Sequence, residues 1–179
     1  FSEAFAIMGY VEFYLATGDE NYMKHAADAS YGGLNISWNE VNSATAIAYA
    51  LHVDSSKRQG IIDSINGDIL EDAKDEQGNF ILDEQGNRIK VAQTSYKFGG
   101  NSKGWGQMRH NTAYQTAVLI ANKFAHNGEE SEWTQWCKNQ MNYILGANGA
   151  SGNDSRHQRV STCFVTNFAE NTLIHPHYR

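Results

Sequence analysis

The chain has 179 residues, of which 41% are hydrophobic, one is proline and two are cysteine, and its formal net charge is −6. That length and apolar content suit one packed, mostly helical domain. The acidic balance, without any Lys/Arg cluster, argues against a nucleic-acid partner, and no apolar run approaches a membrane span. Phe1 opens without the charged start and small-residue cleavage site of a signal peptide, so either a leader was removed or the sequence begins within a longer protein.

The spacing predicts six helices. Glu3 to Ala16 is apolar or small apart from Glu3 and Glu12, which predicts an inner helix buried on most sides. Gly18 suits the left-handed end of that helix, and Asp19 can cap a second one from Glu20 to about Ala29. A third runs from Glu40 to His52. The fourth, about Ser56 to Lys74, sets Ile61, Ile62, Ile65, Ile69 and Leu70 opposite its charges and reads as an outer, amphipathic helix.

Residues 75 to 90 hold an internal repeat, Asp75-Glu76-Gln77-Gly78-Asn79 and Asp83-Glu84-Gln85-Gly86-Asn87, around Phe80-Ile81-Leu82. Gly-Asn pairs beside β-prone residues predict a small hairpin excursion near residues 78–92. The acidic turns also invite a calcium reading, but the Asp-x-Asp-x-Asp-Gly spacing of a calcium loop is absent, and no metal is expected there.

Helices resume with Gln107 to about His126, where Ala113, Ala117, Ile120, Ala121 and Phe124 share a face, and Glu132 to Leu145, with Trp133, Cys137, Met141 and Ile144. Asn127-Gly128 is the break between them. Trp38 and Trp133 read as core, and His25, His52, His110 and His126 as surface or packing residues without ligand spacing. Cys137 and Cys163 can pair only if the fold brings them together, which the sequence does not decide; two free buried thiols are the favoured reading. Six helices joined as hairpins describe stacked αα units.

Five stretches carry the functional signal. The C-terminal run Cys163-Phe164-Val165-Thr166-Asn167-Phe168-Ala169, followed by His175-Pro176-His177-Tyr178-Arg179, concentrates rings and cations in a segment without helical periodicity. Histidine donates or accepts at either ring nitrogen, arginine presents a fixed fork of donors, and tyrosine joins an apolar face to a polar tip, a set suited to gripping a sugar. The others are Phe13 to Asp19, Ser37-Trp38-Asn39-Glu40, Gly104-Trp105-Gly106-Gln107-Met108-Arg109 and Asn142-Tyr143-Ile144-Leu145-Gly146-Ala147-Asn148.

Together, in their order along the chain, the five resemble glycoside hydrolase family 9, the inverting cellulases. The resemblance implies the C-terminal half of the catalytic domain over residues 1–179: an all-α array forming about half of an (α/α)6 barrel of twelve helices. An isolated half would leave inner residues such as Met8, Val11, Ile47 and Val118 open to water, which predicts a missing complement, the remainder of the same domain, or a tendency to associate.

It further implies hydrolysis of β-1,4-glucosidic bonds in cellulose or a related β-glucan by a secreted enzyme, with binding residues Trp105, Arg109, His177, Arg179 and Tyr178. Trp105, flanked by Gly104 and Gly106, matches a tryptophan that stacks on a glucosyl ring. His177 and Arg179 match groups that hydrogen-bond sugar hydroxyls, Arg109 lines or braces the cleft, and Tyr178 stands where the family usually has a second histidine. Tyr96 and Phe98 could add stacking surface.

Inversion needs two carboxyl groups roughly 6.5 to 9.5 Å apart, one acid and one base. The family's Asp-Ala-Gly-Asp motif, which holds the base, does not occur here, and neither does its glutamate beyond the Pro-His-His-Arg motif, so no catalytic residue is assigned within the chain. No cofactor is required. A calcium site of many members falls here at Ser2, Glu3 and Asn39, with reduced ligand charge, so calcium is expected to be weak or absent. The alternatives are a noncatalytic glucan-binding or structural αα module and an exo-acting glycosidase.

Overall fold

The computed structural model describes residues 2–28, 41–94 and 107–145. Among them lie six α-helices: α1 (Ser2–Thr17), α2 (Glu20–Asp28), α3 (Val41–His52), α4 (Arg58–Ile69), α5 (Gln107–Ala125) and α6 (Glu132–Ile144). Two short strands, β1 (Leu70–Asp72) and β2 (Lys90–Ala92), separate α4 from α5.

The helices form two layers of antiparallel hairpins. Gly18 (φ 71°) ends α1, and the Asp19 carboxylate accepts from the Asn21 N–H at 2.9 Å to start α2. Ring pairs Tyr10–His25 and Phe13–Tyr22, both at 5.3 Å, fix the antiparallel pairing of α1 with α2. The start of α4 sits at the end of α3, where the Arg58 guanidinium donates to the carbonyls of Ala50 (2.9 Å) and Leu51 (3.0 Å). Helix α4 runs against α5, since Arg58 lies over the Phe124 ring while the Tyr114 hydroxyl donates to Asp68 at 2.7 Å. Helices α1, α3 and α5 pack side by side, with α2 on α1, α4 on α3 and α5, and α6 on α5.

The main core joins Ile47 and Ala50 of α3, Ile61, Ile65 and Ile69 of α4, Tyr114, Val118 and Ala121 of α5, and Trp133 and Trp136 of α6. A smaller cluster links Ile7 and Val11 of α1 to Ala26 of α2 and Tyr49 of α3.

Four expectations are corrected. Helix α1 is not buried on most sides: between residues 6 and 17 only Ile7 and Val11 are buried, among the described residues its main contacts are with α2 and α3, and Phe13 is 56% exposed. The residues expected to face water do not: Val11 (1%), Ile47 (1%) and Val118 (0%) are buried, and Met8 partly so, since each points between helices of the array. Among the described residues the exposed large apolar side chains are instead Phe13, Leu15, Leu119 and Met141 on the helices and Phe80, Ile81, Leu82 and Ile89 on the excursion.

The fourth helix is also shorter than Ser56–Lys74. The Asp54 carboxylate caps a 3-10 turn over Ser55–Lys57 by accepting from Ser56 N–H at 3.0 Å, and Leu70 is already extended (φ −103°, ψ 150°). Finally, the excursion begins before residue 78, because β1 pairs antiparallel with β2 in the register Leu70–Ala92, Glu71–Val91 and Asp72–Lys90.

Above that base the excursion is a three-way junction. Ala73 N–H donates to the Ile89 carbonyl (2.9 Å), Ile81 N–H to that of Ala73 (3.0 Å), and Ile89 N–H to that of Ile81 (3.0 Å), closing a ring of three positions spaced eight residues apart. One arm is the base; the other two are closed by the bridges Lys74–Phe80 and Leu82–Arg88, so each copy of the repeat builds one arm.

In each tip the leading aspartate folds the turn. The Asp75 carboxylate accepts from the N–H groups of Gln77 (3.0 Å) and Asn79 (2.8 Å), and Asp83 does the same with Gln85 (2.9 Å) and Asn87 (2.8 Å). Gly78 (φ 87°) and Gly86 (φ 83°) take the left-handed conformation those turns require. The excursion is fixed to α6 by the Ala92 N–H, which donates to Glu132 Oε2 at 2.6 Å, and by Asn139 Nδ2, which donates to the Gln93 carbonyl at 3.1 Å.

Candidate functional site

Of the sequence-predicted binding residues, Arg109 lies in the first turn of α5, and its side chain is outside the described residues. Trp105, His177, Tyr178 and Arg179 lie outside the described residues altogether, as do Tyr96, Phe98, Trp38, Asn39 and Cys163. Ser2 and Glu3 open α1, with side chains outside the described set.

The described residues establish where the segments carrying those groups join the helical array. Near its start α5 touches the end of α6: Asn111 Nδ2 donates to Gln140 Oε1 at 2.9 Å. Near its end α5 touches the start of α6: Ser131 Oγ donates to Asn122 Oδ1 at 2.8 Å. The hairpin is therefore antiparallel, and Gln107 and Ile144 stand at the same end. The Trp105 segment enters α5, and the segment leading to His177 and Arg179 leaves α6, at one edge of the array.

That edge has a buried polar lining which the sequence reading missed. Asn111, Gln115 and Gln140 are all buried, and Gln115 Nε2 donates to Asn111 Oδ1. His110 is buried too, and among the described residues its Nδ1 and the Nε1 of Trp136 have no hydrogen-bond partner. The missed signal was spacing: Asn111, Gln115, Val118 and Asn122 recur at helical intervals and mark one face of α5. On α6 the buried positions are Trp133, Trp136, Cys137, Gln140 and Ile144, so Met141, expected inside, is replaced by Trp136 and Gln140.

Other groups fall as read. Trp133 is core, its Nε1–H donating to Asn66 Oδ1 at 2.8 Å. Cys137 is buried and free of any disulfide, and burial pushes its thiol up to about 12. His25, His52 and His126 are exposed.

The acidic turns spend their carboxylates on their own backbone. The Asn79 N–H first, with the Asn79 amide and the Gln77 and Gly78 N–H groups, holds the Asp75 carboxyl below its usual range, and Asn87 N–H leads the same effect on Asp83. At the base of the arms, Lys90 (2.6 Å) and Arg88 (2.9 Å) flank Asp72 and lower its carboxyl, Lys90 contributing most. Among the described residues no group of three or more His, Cys, Asp or Glu side chains gathers as metal ligands do.

A family model described as glycosyl hydrolase family 9 matches residues 6–179. The chain belongs to this family. No curated protein and no solved structure gave a match.

Membership places the chain among glycoside hydrolases of β-glucans, with a polysaccharide as substrate, and the layered α-hairpins agree with the family's (α/α)6 architecture. The small antiparallel sheet lies between α4 and α5. Among the described residues no helix is long and apolar enough to cross a membrane.

Proposed function

We propose that this family 9 chain takes part in inverting hydrolysis of β-1,4-glucosidic bonds in cellulose or a related β-glucan, supplying the wall of the cleft that holds the sugar. In this reading Trp105 stacks on a glucosyl ring, His177 and Arg179 hydrogen-bond hydroxyls beside the scissile bond, and Arg109 and Tyr178 complete the contact surface. The catalytic acid and base are supplied by other parts of the protein, since neither family motif that carries them occurs in this sequence. No cofactor enters the chemistry, and calcium at Ser2, Glu3 and Asn39 is weak for want of ligand charge. The enzyme acts outside the cell, where its polymeric substrate is.

The observation that carries the reading is the convergence of α5's start and α6's end at one edge of the array, within a family match spanning both flanking segments. One groove can then receive a flat ring from one segment and charged donors from the other.

The test is hydrolysis of carboxymethylcellulose by the full gene product with Trp105→Ala and His177→Ala. Each variant should lose roughly tenfold or more in kcat/KM, the worth of one lost stacking or charge-assisted contact. Wild-type kinetics in both variants would refute the assignment.

A further inference from the structure

Half of the exposed large apolar side chains among the described residues belong to the excursion: Phe80, Ile81, Leu82 and Ile89. Every residue from 74 to 90 is exposed, and among the described residues the excursion bonds to the helices at its base, where Ala92 meets Glu132 and Gln93 meets Asn139. Packing within the array therefore does not account for three consecutive apolar residues held in water. Such a run marks a contact surface.

The surface is held open by its own bonding. Bridge partners share a face of an antiparallel pair, so Lys74 lies beside Phe80, Leu82 beside Arg88, and Asp72 beside Lys90. Arg88 joins these pairs, its Cζ 3.8 Å from the Phe80 ring centroid and its Nη1 2.9 Å from Asp72 Oδ2, while Lys74 Nζ lies 5.2 Å from the same ring. One face thus carries Phe80 and Leu82 in a frame of paired charges. The guanidinium covers one side of the ring, yet Phe80 keeps 43% and Leu82 54% of their surface in water. A ring fixed in this way meets a ligand without first losing rotational freedom.

Charge selects the occupant. Between residues 70 and 92 there are six acidic residues and three basic ones, and the chain as a whole carries −6. Two of the three cations, Arg88 and Lys90, are spent on Asp72, so an anionic polymer or lipid meets net repulsion. A second copy brings the same excess of negative charge to the contact. A neutral polysaccharide, the substrate class of the family, does not. Its pyranose rings offer C–H faces to an apolar ring, and hydroxyls to the exposed amides of Gln77 and Gln85 and carboxylates of Glu76 and Glu84.

We propose that the Phe80 face of the excursion is an accessory glucan-contact surface, which holds the polymer to the enzyme and takes no part in bond cleavage. The proposal rests on the β-glucan reading of the substrate and is independent of the roles given to Trp105, His177 and Arg179.

The experiment compares adsorption of the full-length enzyme on insoluble cellulose in the cold with its kcat/KM on cellopentaose, a soluble oligosaccharide that reads hydrolysis by itself. The variants are Phe80→Ser with Leu82→Ser, a shortened form in which Asn-Gly replaces residues 74–88, and Leu119→Ser, whose side chain is also exposed but lies on α5. The β1–β2 register continues to Ala73 opposite Ile89, a pair that a two-residue turn can close, so the shortened form keeps the base and its bonds to α6. The expected result is an association constant for cellulose lower by roughly three- to tenfold in the two excursion variants, the worth of a lost ring contact. Leu119→Ser should adsorb as wild type does, and cellopentaose kinetics should be preserved throughout.

Absence of adsorption by the wild type, or unchanged adsorption in both excursion variants, with cellopentaose still hydrolysed, overturns this inference alone. An equal loss in Leu119→Ser overturns it too, since any exposed apolar side chain would then suffice. A parallel fall in cellopentaose kinetics would make the face part of the hydrolytic site, and a dimer seen in sedimentation that the excursion variants abolish would assign it to a second copy; either result overturns the proposal. A wild type that neither adsorbs nor hydrolyses overturns the β-glucan reading and this inference with it. Should the shortened form fail to fold, the paired serine variant is judged by the same criterion.

Discussion

Arg58 is the side chain whose loss should cost the helical array most for its degree of exposure. It starts α4, donates from Nε and Nη2 to the last carbonyls of α3, and lies 5.7 Å from the centroid of the Phe124 ring in α5. Three helices therefore depend on one planar group. Arg58→Met keeps the aliphatic stem and removes the fork. Two charge-assisted bonds contribute about 1.5 kcal/mol each at the low end of their range, and the ring contact about 0.5 kcal/mol. Leu51 is half-buried and Ala50 is fully buried while Arg58 covers it; water admitted by removal of the fork would return roughly 1 kcal/mol to their carbonyls, leaving a loss of about 2.5 kcal/mol.

For a domain of this size that corresponds to a thermal midpoint lower by roughly 5–10 °C. Arg58→Lys keeps the charge but reaches one carbonyl at best, so it should lose about half as much. A double-mutant cycle with Phe124→Leu isolates the ring term at roughly 0.5 kcal/mol. Urea unfolding of the purified domain measures all three. Loss below about 0.5 kcal/mol in Arg58→Met, or a lysine variant equal to wild type, would refute the claim that the guanidinium fork organises this junction.

Three further outcomes are expected. Trp133→Phe deletes the hydrogen bond to Asn66 and part of a fully buried indole, and should lower stability by about 2–3 kcal/mol in the same denaturation assay. Asp72, Asp75 and Asp83 have carboxyls held below their unfolded range, so what they contribute to the excursion is present above pH about 4 and is lost as pH falls through their lower folded values. Hydrogen exchange of residues 73–89 should accelerate below that pH before the helices open, and uniform protection down to pH 2 would contradict it. The Cys137 thiol, pushed up to about 12, should resist a thiol-reactive probe in the folded protein and react on unfolding. Because its folded value is raised above an unfolded value of about 8.5, stability should also decline as pH rises past 8.5, and Cys137→Ala should flatten that decline.

Elements whose local chemistry is self-sufficient were legible from the residues. The αL glycine and aspartate cap at 18–19 fix the α1–α2 turn through bonds within a few residues, and the Asn127-Gly128 break likewise takes two left-handed residues in sequence. The Asp-x-x-Gly-Asn repeats announced their turns because the aspartate bonds to donors two and four residues ahead. Trp133 and the isoleucines of α4 were placed by helical period alone. The start of the excursion was misjudged because Leu70-Glu71-Asp72 continues a helical pattern; pairing with Lys90–Ala92, some twenty residues away, takes it out of the helix.

In the candidate site, residue types could be named in advance, since rings, imidazoles and guanidinium forks reveal their chemistry wherever they occur. The amides beside it could not, because asparagine and glutamine are equally at home in water, and only a facing helix decides whether they are buried.

Sequence by itself determined the family, the helical class and the turn chemistry, all of which depend on residues close in the chain or on a pattern shared along it. Tertiary structure alone decided which apolar faces are covered, the Asn111–Gln140 bond, and the shared edge of α5 and α6. These depend on which helix lies opposite, and burial belongs to a pair of surfaces, so neither helix encodes it alone.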